Sequence, residues 1–137
     1  MDTLALLVLQ RATHVTLQLI AADLVDLDLT VSEINALANL ADGQGRTVSQ
    51  LGAAVGARPT TLTSVLDRLE RRGHITRGAR PGDRRSVLIE LTESGRTTAD
   101  VIVRAFEDIE GRALRGLTEA EVAGYFKVLD ALIEEGT

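Results

Sequence analysis

The sequence predicts a mainly α fold with one small β-hairpin, and three observations lead there. Pro59 opens a run in which Leu62, Val65, Leu66 and Leu69 recur at helical spacing, and Gly73 follows as a stop signal. Residues 74–77 and 87–91 read as two strands, joined by residues 78–85 with the turn formers Gly78, Pro81, Gly82 and Asp83. Apolar residues at helical intervals occupy both chain ends. A short helix, a turn, a second helix and then a basic-tipped hairpin is the order of a winged helix-turn-helix, flanked here by N- and C-terminal helices.

Each element has its own signal. Residues 4–25 read as one helix about 33 Å long. Leu6, Leu9, Leu17, Ile20 and Leu24 form one apolar row on it, and Leu4, Val8, Ala12, Val15, Leu19 and Ala22 form another. Two rows call for cover on two sides, and in so short a chain the second cover falls to another subunit. Leu27-Asp28-Leu29 is a connector. Thr30 and Glu33 make a capping box for a helix carrying Ile34, Leu37 and Leu40. Residues 41–45 end it, and Arg46 and Thr47 add a short strand to the hairpin sheet. Thr47 and Gln50 form a second box, opening a helix to about Val55, and Gly56-Ala57 turns into the helix 59–72. Pro59 suits the first helical position because its missing N–H costs nothing there. Thr60, Thr61, Ser64, Arg68 and Arg71 lie opposite the leucine stripe, and Arg71 and Arg72 suit the negative helix end. Thr92 caps a long helix to about Arg115, with Ile102, Phe106, Ile109 and Ala113 on one side. Thr118 and Glu121 form a third box, for a last helix carrying Val122, Phe126, Leu129, Leu132 and Ile133. The expectation is a single domain over 1–137, with a core at 30–92 and terminal helices at 1–26 and 93–137.

Composition narrows the function. The 137 residues suffice for one packed domain. With no cysteine there is no disulfide, thiolate metal site or thiol redox switch. Gln10, Arg11, His14 and Gln18 break the apolar N-terminal stretch short of the ~20 residues a membrane span needs. No basic region precedes that stretch, so the expectation is a cytoplasmic protein without a membrane partner. The aromatic residues Phe106, Tyr125 and Phe126 all lie outside the arginine-rich stretch, which disfavours base stacking on single strands and favours a duplex. Residues 58–85 hold eight arginines against three acids, a charge of +5 in a chain of −5, which leaves −10 for the rest. An acidic protein that gathers its arginines in one segment places them where phosphates will be.

Three linked pieces carry a family resemblance. Asp83-Arg84-Arg85-x-x-x-Ile89-x-Leu91-Thr92-x-x-Gly95 resembles the wing signature of the MarR family of bacterial transcription regulators. Pro59-Thr60-Thr61-Leu62-Thr63 and Leu66-Asp67-Arg68-Leu69-Glu70-x-x-Gly73 resemble that family's recognition helix. The resemblance runs over nearly the whole chain. It implies a homodimer built by the terminal helices, a repressor of palindromic operators that places two recognition helices in major grooves about 34 Å apart. It also implies release by a small-molecule effector.

The candidate DNA contacts follow. On the recognition helix these are Pro59, Thr60, Thr61, Thr63, Ser64 and Arg68. Threonine offers a hydroxyl to a base or a methyl to thymine, and arginine forks onto guanine. On the wing they are Arg77, Arg80, Asp83, Arg84 and Arg85. The resemblance makes Arg85 the residue inserted into a minor groove and has Asp83 orient the tip by pairing with an arginine. Arg71, Arg72, Arg77 and Arg80 are read as phosphate contacts or their neighbours. Asp67, of the wrong sign for DNA, is expected to pair with Arg71. By resemblance His14, with Gln18 beside it, lies near an effector pocket between the dimer helices and the winged core. His74 is read as structural. No phosphate loop, cysteine nucleophile or Ser/His/Asp set is present, so no enzyme, cofactor or metal is expected. A winged-helix module that binds an acidic protein partner remains the alternative.

Overall fold

The computed structural model describes residues 4–80 and 82–137, and for residue 80 and residues 83–86 it describes the backbone alone. The helices are α1 (Ala5–Asp23), α2 (Val31–Asn39), α3 (Val48–Val55), α4 (Pro59–Arg71), α5 (Glu93–Ala113) and α6 (Glu119–Glu135). The strands are β1 (Arg46–Thr47), β2 (Ile75–Arg80) and β3 (Asp83–Leu91), and a 3-10 turn at Val25–Leu27 follows α1. The chain divides into two compact units, 1–106 and 107–137, and α5 spans the boundary.

The first unit is built on the predicted leucine stripe. Leu62, Val65, Leu66 and Leu69 of α4 are all buried, and so are Ile34, Leu37, Leu40, Leu51, Ile75, Ile89 and Ile102. Each such side chain removed from water contributes about 1.5–3 kcal/mol. All three capping boxes form, with Thr30, Thr47 and Thr118 each accepting from the backbone N–H three residues on. Gly56 and Gly73 both take positive φ, after α3 and α4 respectively.

The sheet has the order β1-β3-β2 and is antiparallel throughout. Arg46 and Thr47 do pair with Ile89 and Leu88, as the short-strand reading expects. The hairpin corrects that reading in one respect: residues 78–80 and 83–85 belong to the strands and not to a loop. Gly78 pairs with Leu88, Ala79 with Val87 and Arg80 with Asp83. Once Thr76 and Arg77 are zipped to Glu90 and Ile89, each further backbone pair forms at little extra entropic cost, whatever the β-propensity of Gly78 and Ala79. Between the last two of these pairs the register shifts. Gly82 turns the chain at φ 80°, a conformation that costs glycine nothing.

The hairpin returns to where it began. Thr92 donates its N–H to the His74 carbonyl at 3.0 Å and its hydroxyl to the Gly73 carbonyl, while its Oγ1 accepts from the Gly95 N–H at 3.0 Å. Helix α5 starts so close to this point that a Cβ on Gly95 would lie 1.9 Å from the His74 carbonyl oxygen.

Helix α1 buries Ile20, and Leu24 beyond its end is buried too, whereas Leu6, Leu7, Val8, Val15 and Leu19 stay exposed in the single chain. By length and composition alone α1 could cross a membrane, with 19 residues and a mean hydropathy of 1.3. The polar interruptions at 10, 11, 14 and 18 therefore exclude less than expected. A helix whose two apolar rows are covered by protein meets the same criterion.

In the second unit α6 has no buried residue in the single chain. The rings of Tyr125 and Phe126 meet at a tilt of 50° with centroids 5.3 Å apart, and Phe126, Val128 and Ile133 are exposed.

Candidate nucleic-acid interface

Helix α4 presents its N-terminal half to solvent. Pro59 occupies the first turn, and Thr60, Thr61, Thr63 and Ser64 are all exposed. Thr63 Oγ1 donates to the Pro59 carbonyl at 2.9 Å and Ser64 Oγ to that of Thr60 at 3.4 Å. Their protons are thus used within the helix, leaving oxygen lone pairs to accept. Thr60 and Thr61 have no side-chain hydrogen bond among the described residues. A groove of about 600 Å³ runs beside them between α3 and α4, lined by Val48, Gly52, Ala53, Ala57, Pro59 and Leu62.

In the C-terminal half of α4 the arginines meet other parts of the protein. Arg68 is paired with groups on and before α2. Its Nε lies 3.4 Å from Oε2 of Glu33 on α2, and its Nη2 reaches the Asp28 carbonyl at 3.4 Å. Arg72 donates to the carbonyls of Asp28 and Leu27 at 2.6 and 3.1 Å. Arg77, expected at phosphates, is bound from β2 to two carboxylates of α4, Asp67 at 2.8 Å and Glu70 at 2.7 Å. Asp67 thus pairs through its carboxylate with Arg77, while Arg71 reaches only the Asp67 carbonyl, at 3.4 Å. The Arg77 hydrogen bond holds the Glu70 carboxyl below its ordinary range, and the two carboxylates raise Arg77 further. Wing and recognition helix are tied by this fork.

Behind α4 lies a polar cluster that the sequence reading missed. Glu33 is 1% exposed; its Oε1 accepts from the Thr30 N–H and its Oε2 faces Arg68 without a hydrogen bond. His74 is also buried, and its Nδ1 has no partner among the described residues. Burial lowers the His74 pKa first, the nearby Arg72 charge lowers it further, and Glu33 opposes both. One signal was available: Glu33 shares the helical face of Ile34, Leu37 and Leu40, where an acid needs a cation.

The side chains of Arg80, Asp83, Arg84 and Arg85 lie outside the described residues, as does Pro81 altogether. The backbone places 80 at the end of β2 and 83–85 at the start of β3, at the far end of the hairpin from its root. His14 and Gln18 are exposed on α1 and line neither of the two described cavities. Among the described residues no group of three or more acidic, histidine or cysteine side chains could hold a metal.

With this geometry in place, the chain can be compared with known proteins. The family model "MarR family" matches residues 29–87. The HTH-type transcriptional repressor NicR of Pseudomonas putida is 28% identical over 109 residues, covering 80% of this chain and 69% of NicR. Five other curated relatives are matched over 44–63% of their own length. Among solved structures, S. aureus MepR in its DNA-binding conformation superposes with a TM-score of 0.89 at 23% identity, covering 98% of this chain and all of that one. Bordetella bronchiseptica BpsR, described with regulation of its DNA binding by 6-hydroxynicotinic acid, is 26% identical, with a TM-score of 0.76 over 94% of this chain and 92% of that one.

Proposed function

We propose, from the MarR-family match over residues 29–87 and the winged-helix fold, that this chain is a homodimeric, sequence-specific regulator of transcription acting on duplex DNA in the cytoplasm. One observation carries the reading: a segment of charge +5 inside a chain of −5 coincides with α4 and the hairpin, the two parts of a winged helix that meet DNA. The exposed Thr60, Thr61, Thr63 and Ser64 read base edges. The wing residues Arg80, Asp83, Arg84 and Arg85 serve the minor groove and the adjoining phosphates. The exposed apolar rows of α1 supply the subunit contact, which presents two recognition helices to a palindromic operator. Repression follows the precedent of NicR, and release by a small aromatic acid follows that of BpsR, with His14 and Gln18 as the residues nearest such a ligand. The reading assigns no catalysis.

Protection mapping on the DNA flanking the gene tests this, joined to a salt titration. We expect a two-fold symmetric footprint and an affinity that falls steeply with salt as counterions are released. Arg85→Ala should weaken binding strongly while Arg104→Ala on α5 leaves it unchanged. A monomer with no preference for any genomic duplex would end the proposal.

A further inference from the structure

Arg68 lies on α4 and Arg72 caps its C-terminus, and both turn away from its exposed half. Both meet the connector that leads from α1 into α2. Arg72 forks onto two consecutive carbonyls there, those of Leu27 and Asp28, while Arg68 reaches the same Asp28 carbonyl and the buried Glu33 carboxylate. Asp28 sits at φ 52°, the one described residue other than glycine in the left-handed region. Aspartate enters that region more readily than most residues, and the Asp28 N–H closes the 3-10 turn onto the Val25 carbonyl at 3.3 Å. Its carbonyl then points at both guanidiniums, which come from some forty residues along the chain.

We infer that Arg68 and Arg72 are positioning residues: they latch the recognition helix to the α1–α2 connector and set the angle at which α4 enters a groove, without touching base or phosphate. The inference rests on the DNA-binding reading above. A guanidinium carries its N–H donors in one rigid plane, so a fork on two carbonyls fixes orientation where a lysine ammonium could not. A phosphate contact, by contrast, needs mainly the positive charge, which lysine keeps.

The test compares wild type, Arg72→Lys and Arg72→Gln on operator and scrambled duplex across a salt series, with thermal melting to confirm the fold. Arg72 is exposed, so neither variant strands a buried charge. We expect both variants to lose about tenfold on the operator, the scale of one lost base-pair match, while affinity for scrambled duplex and the salt slope stay as in wild type. If Arg72→Lys binds like wild type, or if Arg72→Gln weakens both duplexes alike and the slope falls by about one, the residue contacts phosphate and the inference fails. No change in either variant also overturns it. A wild type that prefers no duplex sinks the DNA-binding reading itself, a result distinct from all of these.

Discussion

Oε2 of Glu33 and Nε of Arg68 stand 3.4 Å apart, the acid's side chain 2% exposed and the cation's 42%. Truncating the cation strands a charge in the interior of the first unit. We expect Arg68→Ala to cost about 2–4 kcal/mol in urea unfolding, below the upper end for a wholly buried pair because water reaches one partner. Glu33→Gln keeps an acceptor for the Thr30 N–H and removes the stranded charge, so it should cost less, about 1 kcal/mol. Equal losses from the two substitutions would mean that the pair does not govern this site.

The Arg77 fork sets an acid dependence. Glu70 has a folded pKa below its ordinary 4.5, chiefly through the hydrogen bond from Arg77. Its contribution to stability is therefore complete above that value and lost as pH falls through the folded value. In Arg77→Ala the urea midpoint should change less between pH 5 and pH 3 than in wild type. High salt should narrow the difference, since both acids are largely exposed.

His74 sets a second dependence at higher pH. Its folded pKa lies below the ordinary 6.5, first through burial and then through Arg72. Protons bind more readily to the unfolded chain, so stability falls as pH drops from 6.5 toward the folded value. His74→Leu should flatten the stability curve over that interval. A curve of unchanged slope would show that His74 is not the titrating group.

Gly95 admits no side chain. With a Cβ only 1.9 Å from a backbone oxygen, Gly95→Ala must shift either α5 or the strand entry. We expect a loss of about 2–4 kcal/mol, seen as a lower urea midpoint with little change in far-ultraviolet circular dichroism. Gly111→Ala, with open space around the Cβ, is the control and should be neutral or stabilising.

On the reading face, Thr60→Val and Thr61→Val remove hydroxyls that bond to nothing else described and keep the methyl groups. Each should relax discrimination at one operator position by about 1–3 kcal/mol where a hydroxyl is read, and leave the salt slope unaltered. Binding arrays of single-base operator variants would reveal which position responds.

Local signals proved readable from sequence, and distant partners did not. Thr30, Thr47 and Thr118 announced their helices because both members of each capping box lie within four residues. The α4 stripe was legible for the same reason, since helical spacing alone places Leu62, Val65, Leu66 and Leu69 on one side. The partners of Arg68 and Arg77 were not legible because spacing does not fix them. Glu33 lies 35 positions before Arg68, and Asp67 and Glu70 join Arg77 only once β2 folds back onto α4. Glu33 was hidden further by its first role as a cap, which accounted for it before its burial was known. Gly78 and Ala79 looked like a loop because they lack β-branched bulk, although the ladder that enrols them is made by backbone.

The closure of the hairpin at His74, Thr92 and Gly95 makes it a cantilever: clamped at its root and reaching out to the exposed Gly82. Load applied to the tip is borne at the base, where strand entry, strand exit and the start of α5 meet. Residues could be added, removed or exchanged around Gly82 without asking the hydrophobic interior to rearrange. Evolution could therefore retune what the tip touches while the scaffold beneath keeps its shape.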